Sequence, residues 1–190
     1  MTGRIFTADH HVYDLPPLLS WNVRHTGTVP CDSWSVTAVY KAEMAPVLKL
    51  AAGFAAMENG TVQLRGIVDE YEVELGGGGL TVTLSGRGYA ARLLDNESRP
   101  VTYEQVTLRE LIRCHAEPYG ISCGAAADLR STVPYTAGVG ISQWKVISEF
   151  CRTYGGFLPR FAKTGELLAT PEQDSGKRII LDSGSPVLNC

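Results

Sequence analysis

The sequence predicts an α+β chain rich in antiparallel β-structure: a strand meander that makes a small barrel or sandwich, then a helix–helix–hairpin module. Three observations predict it. Apolar residues alternate with polar ones through Trp34-Val36-Ala38-Tyr40 and again through Leu80-Val82-Leu84, the period of a half-buried strand. Asn59-Gly60 and the run Gly76–Gly79 interrupt such stretches as turn signals. From Pro100 the period becomes helical, so that Leu108, Leu111, Ile112 and His115 share one face.

At the start, Met1–Phe6 lacks the apolar core of a secretory signal. Asp9-His10-His11 has the residue types of a metal or acid/base cluster, but a mobile polar terminus is the simpler reading. After Pro16-Pro17, Leu19-Trp21-Val23 alternates with Ser20-Asn22-Arg24 and predicts a half-buried strand, followed by a loop over Gly27–Asp32. Ala42–Leu50 reads as one short helical turn interrupted by Pro46.

Asn59 and Gly60 tolerate the positive φ of a type I′ turn, which sets Met57 opposite Val62 and Ala55 opposite Leu64. Pairing about the four glycines places Leu75 beside Leu80, Val73 against Val82 and Tyr71 against Leu84. Between the two turns the strand Thr61–Leu75 changes phase. Val62 and Leu64 are apolar at even positions, whereas Ile67, Tyr71, Val73 and Leu75 are apolar at odd ones. Gly66 is the expected place of the switch, as a bulge or bend. Beyond it Glu70, Glu72 and Glu74 form one polar face, either the solvated side of an antiparallel sheet or an acidic wall on a channel.

In the second module, Thr107 and Glu110 form a capping box, and Pro118 and Gly120 end the helix. His115 is read as a packed histidine. Ser142 caps a second helix whose stripe Trp144, Ile147, Phe150, Cys151 and Tyr154 is core, closed by Gly155-Gly156. Phe157–Phe161, a Lys163-Thr164-Gly165 turn and Glu166–Thr170 predict a hairpin. Two further β-like pieces, Arg178–Leu181 and Pro186–Leu188, follow. The expected units are 1–98, a β-barrel; 99–171, the small α+β module; and 172–190, the start of a second barrel or closing strands.

Composition excludes several function classes. The 190 residues are 44% hydrophobic and 19% charged, ordinary for a folded protein. No apolar run approaches the ~20 residues that span a bilayer, so no membrane insertion is expected. A net charge of −3 argues against a broadly basic nucleic-acid surface. The negative charge belongs to the β-rich part, which has seven Lys/Arg against eleven Asp/Glu through Ser98. Five cysteines contain no CxxC pair, and Cys114, His115 and Cys123 match no common zinc spacing, so thiols in a reducing cytosol and no metal are expected. Gly86-Arg-Gly88-Tyr-Ala-Ala91 fits the dinucleotide pattern G-x-G-x-x-A. The strand before it alternates with Thr81, Thr83 and Ser85 and belongs to a hairpin, whereas a dinucleotide site needs a parallel strand apolar on both faces. No nucleotide, no other cofactor and no catalytic constellation are therefore expected; the chain does not read as an enzyme.

Several segments in order resemble the baseplate hub proteins of phage tails, the late-control-protein-D family related to the base of type VI secretion spikes. They are Cys31-Asp-Ser-Trp-Ser-Val36; Asn59-Gly60 leading to Leu64-Arg-Gly-Ile-Val-Asp69; Leu80–Gly88 followed by Leu93-Leu-Asp95; Thr107–Ile112 with Pro118-Tyr-Gly-Ile121; and Gln143–Phe150. The resemblance implies two similar barrels with a helical insertion between them, of which this chain holds the first barrel, the insertion and the opening of the second. It also implies trimers whose six barrels form a ring. Its expected partners are further copies of itself, the tail tube, the spike or tip and other baseplate proteins, with DNA only as passing cargo. Expected locations are the bacterial cytoplasm during assembly and then the virion tail. On this reading Glu70, Glu72 and Glu74 face the lumen. One alternative is a stand-alone barrel that binds carbohydrate or peptide, favoured by exposure of Trp21 or Trp34 and opposed by their burial; the other is the nucleotide-binding enzyme that Gly86–Ala91 would imply, against which the alternating antiparallel strand argues.

Overall fold

A computed structural model describes residues 1–27 and 30–172; the expected strands at Arg178–Leu181 and Pro186–Leu188 lie outside the described residues. The first unit is built from β1 (Thr2–Thr7), β2 (Val12–Asp14), β3 (Leu18–Arg24), β4 (Ser33–Val39), a 3-10 turn (Ala42–Met44), α1 (Ala45–Lys49), β5 (Ala51–Glu58), β6 (Thr61–Gly76) and β7 (Gly79–Gly88). The second comprises α2 (Ala91–Leu94), β8 (Val101–Tyr103), α3 (Leu108–His115), a 3-10 turn (Glu117–Tyr119), β9 (Cys123–Ala126), β10 (Tyr135–Ala137), α4 (Gln143–Gly155), β11 (Arg160–Phe161) and β12 (Leu167–Ala169).

The expectation of an α+β, β-rich chain holds, but the barrel is not closed by hydrogen bonds. Seven antiparallel strands form one sheet in the order β2-β1-β5-β6-β7-β4-β3, with β2 and β3 as edges. The sheet is nevertheless strongly curled. Trp34 on β4 stacks on Phe54 of β5 with ring centroids 3.8 Å apart and planes at 14°. Those strands are three steps apart, about 14 Å in a flat sheet, so the sheet bends into a trough that brings the rings together. Ile5, Val36, Met44, Leu48, Leu64, Val82 and Leu84 fill the trough around them. Pro46 does not interrupt the helical segment; it sits in the first turn of α1, where its missing N–H costs nothing.

The β6–β7 register is the expected one, with Tyr71 opposite Leu84, Val73 opposite Val82 and Leu75 opposite Leu80. Asn59 and Gly60 take φ of 50° and 77°, as a type I′ turn requires. Met57 lies opposite Val62, but a register shift then pairs Leu64 with Ala56 instead of Ala55. The phase change falls three residues later than expected. Gly66 stays in phase opposite Gly88, and the shift lies between Val68 and Glu70, leaving Asp69 as the extra residue. Ile67 gave the misleading parity, because Val68, not Ile67, joins the core. Gly66 is needed for a different reason: a Cβ there would strike the carbonyl of Arg87.

The N-terminus is not a mobile polar tail. Gly3, Ile5 and Thr7 point inward, β1 pairs with both β5 and β2, and Asp9-His10-His11 forms the turn between β1 and β2. The second unit has its own core of Leu93, Leu108, Leu111, Ile112, Ile121, Val146, Ile147, Phe150, Cys151 and Leu167. Thr107 and Glu110 make the capping box, Ser142 accepts from Lys145 N at the start of α4, and Gly156 closes α4 at φ 69°. The β11–β12 hairpin is as expected; its parallel pairing with β9 is additional.

Candidate functional site

Two surfaces stand out, at opposite ends of β6. The first is the outer half of the β6–β7 hairpin. From Glu70 onward β6 pairs only with β7, because β5 has no register beyond Ile67, so one edge of the strand is open. Glu70, Glu72 and Glu74 lie together on the face opposite the core, and all three are exposed. Glu70 accepts from the Ser85 hydroxyl at 2.9 Å. On the other face Tyr71, Val73, Leu75 and Leu80 are exposed large apolar side chains, with Leu75 80% accessible. The structure thus brings the three glutamates onto one strip, as the alternation implied.

The second surface is a cleft of about 90 Å³ where the sheet meets the second unit. Arg65, Arg160 and Lys163 line it with Tyr89, Trp144 and Phe161, and Leu158 adds an exposed apolar side chain. The Lys163 ammonium donates to Gln63 Oε1 at 2.7 Å, fastening the β11–β12 turn to β6. Arg160 donates to the Thr170 carbonyl at 2.9 Å, and Arg65 lies 5.8 Å over the Phe6 ring. At the turn, Gly165 has φ of 86° and packs so closely on Tyr89 that no side chain fits. Asp32 also lines the cleft; its carboxylate is taken by His25 at 2.7 Å and by the backbone N–H of Thr26 at 2.9 Å. No polar-bearing motif singled out the cleft, because its residues come from β6, α4 and β11–β12 and meet only in the fold.

Next to the cleft, Arg87 ties the units together. Its guanidinium forks onto Asp69 at 2.8 and 3.0 Å and onto Asp95 at 3.0 and 2.8 Å. The bulge explains the geometry, since the extra residue Asp69 is the one that reaches Arg87. Hydrogen bonds to Asp69 and then Asp95 push the Arg87 pKa further up, and the same contact holds the Asp95 carboxyl below its ordinary value.

The discounted sites resolve as packing. Gly86 and Gly88 lie within antiparallel β7, where Gly86 makes room for the Trp34 ring and Gly88 for Asp32. The following α2 has only four residues. His115 is buried, with Nδ1 2.6 Å from Gln143 Oε1 and Nε2 3.1 Å from the Tyr103 hydroxyl, so both ring nitrogens are engaged inside the fold. Trp34 is 3% exposed and belongs to the core, whereas Trp21 on edge strand β3 is 51% exposed. No helix among the described residues is long and apolar enough to cross a membrane.

Comparison with solved structures places this fold among tail proteins. A tail protein from Neisseria meningitidis is similar at 16% identity and a TM-score of 0.64, over 87% of this chain and 50% of that one. The 43 kDa tail protein of prophage MuSo2 from Shewanella oneidensis is similar at 18% identity and a TM-score of 0.66, over 96% and 59%. An E. coli component of the type VI secretion system, described as structurally similar to two tail proteins of bacteriophage T4, aligns at 10% identity and a TM-score of 0.50, over 78% and 47%. The chain therefore spans about half to three fifths of each of these neighbours. No protein-family model matches the sequence, and no curated protein matches it. The resemblance drawn from the sequence and the fold comparisons agree on phage tail and type VI secretion proteins.

Proposed function

We propose that this chain is a structural component of a phage or phage-like tail, acting as the hub that joins the tail tube to the spike or tip. The observation that carries the reading is the fold match over nearly the whole chain to two tail proteins. The surfaces support it. An open strand edge beside exposed Tyr71, Val73, Leu75 and Leu80 is suited to binding protein neighbours. Its work is adhesion, not turnover of a substrate. Three copies close a ring, the curled sheets forming barrel units against their neighbours, and assembled particles carry the ring in the tail after assembly in the bacterial cytoplasm. DNA passes through as cargo. The acidic strip Glu70, Glu72 and Glu74 has one place in such a ring along the lumen, where like charge keeps DNA from adhering.

Deleting the gene and imaging the resulting particles tests the reading. Tubes and tips that fail to join, with joining restored by the wild-type gene, are expected; normal tails without the protein overturn it. A second reading, a carbohydrate- or peptide-binding module, has one observation in its favour, the exposure of Trp21 beside exposed Leu19. Saturable quenching of Trp21 fluorescence by an oligosaccharide or peptide panel, lost in Trp21→Ala, would establish it.

A further inference from the structure

Glu72 and Glu74 form no ion pair among the described residues, and the apolar tip beside them, Tyr71, Val73, Leu75 and Leu80, is exposed. At the other end of the same strand, Arg65, Arg160 and Lys163 surround a cleft with no carboxylate in salt-bridge range of any of them among the described residues. The nine residue steps from Arg65 to Glu74 span about 30 Å of strand, so the two surfaces cannot meet within one molecule. Between molecules they are complementary in charge. A cleft of about 90 Å³ is far below the ~300 Å³ of small-molecule sites, so it suits a side chain of a protein neighbour better than a free ligand.

We propose that the β6–β7 hairpin tip of one copy docks in the cleft of the next, Glu74 against Arg65, Arg160 and Lys163, and Leu75 on Leu158 and Trp144. The proposal rests on the tail-assembly reading and names one contact of it. Adjacent strand residues point to opposite faces, so Glu74 enters the cleft while Leu75 stays outside it and lies on the exposed Leu158 at the rim. A contact between two different patches is heterologous, the kind that closes rings. It assigns Glu74 to the seam between copies and leaves Glu70 and Glu72 as the part of the strip that faces the lumen.

The test is the self-association constant of the 190-residue chain by analytical ultracentrifugation, for wild type, Glu74→Lys, Lys163→Glu and the double exchange, with near-ultraviolet circular dichroism as the folding control. Each single reversal is expected to weaken association about tenfold or more, and the double exchange to recover it to within about threefold. Leu75→Ala, which leaves the charges alone, is expected to weaken it as well. The contact is overturned by a wild type that stays monomeric, by single reversals that associate normally, or by a double exchange no better than the singles. Tail imaging separates the two levels: reversals without effect on association, in particles that still need the protein, remove the contact and leave the tail reading standing.

Discussion

Replacing Trp34 with alanine is the most direct probe of the curled sheet. The side chain is 3% exposed, stacks on Phe54 at 3.8 Å and donates from Nε1 to the Ile67 carbonyl at 3.2 Å. Deleting a buried aromatic of this size costs about 3–5 kcal/mol, of which the stacked pair accounts for about 0.5–1.5 kcal/mol. That is a large part of the ~5–15 kcal/mol that holds a domain folded. Trp34→Phe keeps most of the apolar contact but loses the indole donor, so its cost should be about 1 kcal/mol. Because the second unit has a separate core around Phe150 and Leu111, Trp34→Ala should also split the urea transition, with the sheet melting first. Equilibrium urea denaturation followed by circular dichroism reads both effects. A loss below about 1.5 kcal/mol with a single unchanged transition would mean that the sheet does not close around Trp34, and the argument for its curvature would fail.

Gly86→Ala should destabilise by several times the usual surface substitution, because a Cβ there collides with the carbonyl of Ile67 and the Trp34 ring; Gly76→Ala, which meets nothing, should change the thermal midpoint by less than the error of the scan. Arg87→Lys cannot fork onto two carboxylates, and with all three side chains partly exposed the loss should be near 1 kcal/mol, measured by the same denaturation. The Asp95 pKa is depressed in the fold, so its contribution is present above the ordinary carboxyl value and fades as pH falls through the folded one; Asp95→Asn should flatten that acid limb. At the alkaline end, burial raises Tyr135 to about 12, its hydroxyl donating to the Val146 carbonyl at 2.7 Å, and raises Cys151 to about 12. Both folded pKa values lie above the unfolded ones, so stability is full below about pH 9 and declines toward pH 12. Tyr135→Phe should make that decline shallower.

The parts legible in the sequence are those written in local chemistry. Asn59-Gly60 fixed a turn because few residue pairs accept two positive φ angles, and the Thr107/Glu110 and Ser142 caps marked helix starts because backbone N–H groups there need side-chain acceptors. The outer β6–β7 pairs followed from symmetry about four glycines. The parity of Ile67 points to a bulge at Gly66, but Ile67 is turned away from the core, and the true extra residue, Asp69, shows its purpose only when Arg87 stands across from it. Strand β1 leaves a weak sequence pattern, because Gly3, Ile5 and Thr7 carry only one large apolar side chain among three inward positions. The open edges and the cationic cleft are tertiary facts: β3, β6 and the β11–β12 turn are far apart in the chain, and no local pattern records which edge stays unpaired.

Cryo-electron microscopy of purified tails tests the central claim most directly. Such maps should show a ring of these curled seven-stranded sheets at the junction of tube and tip. Tails in which that junction is built from another protein, with this chain absent from the particle, would contradict it.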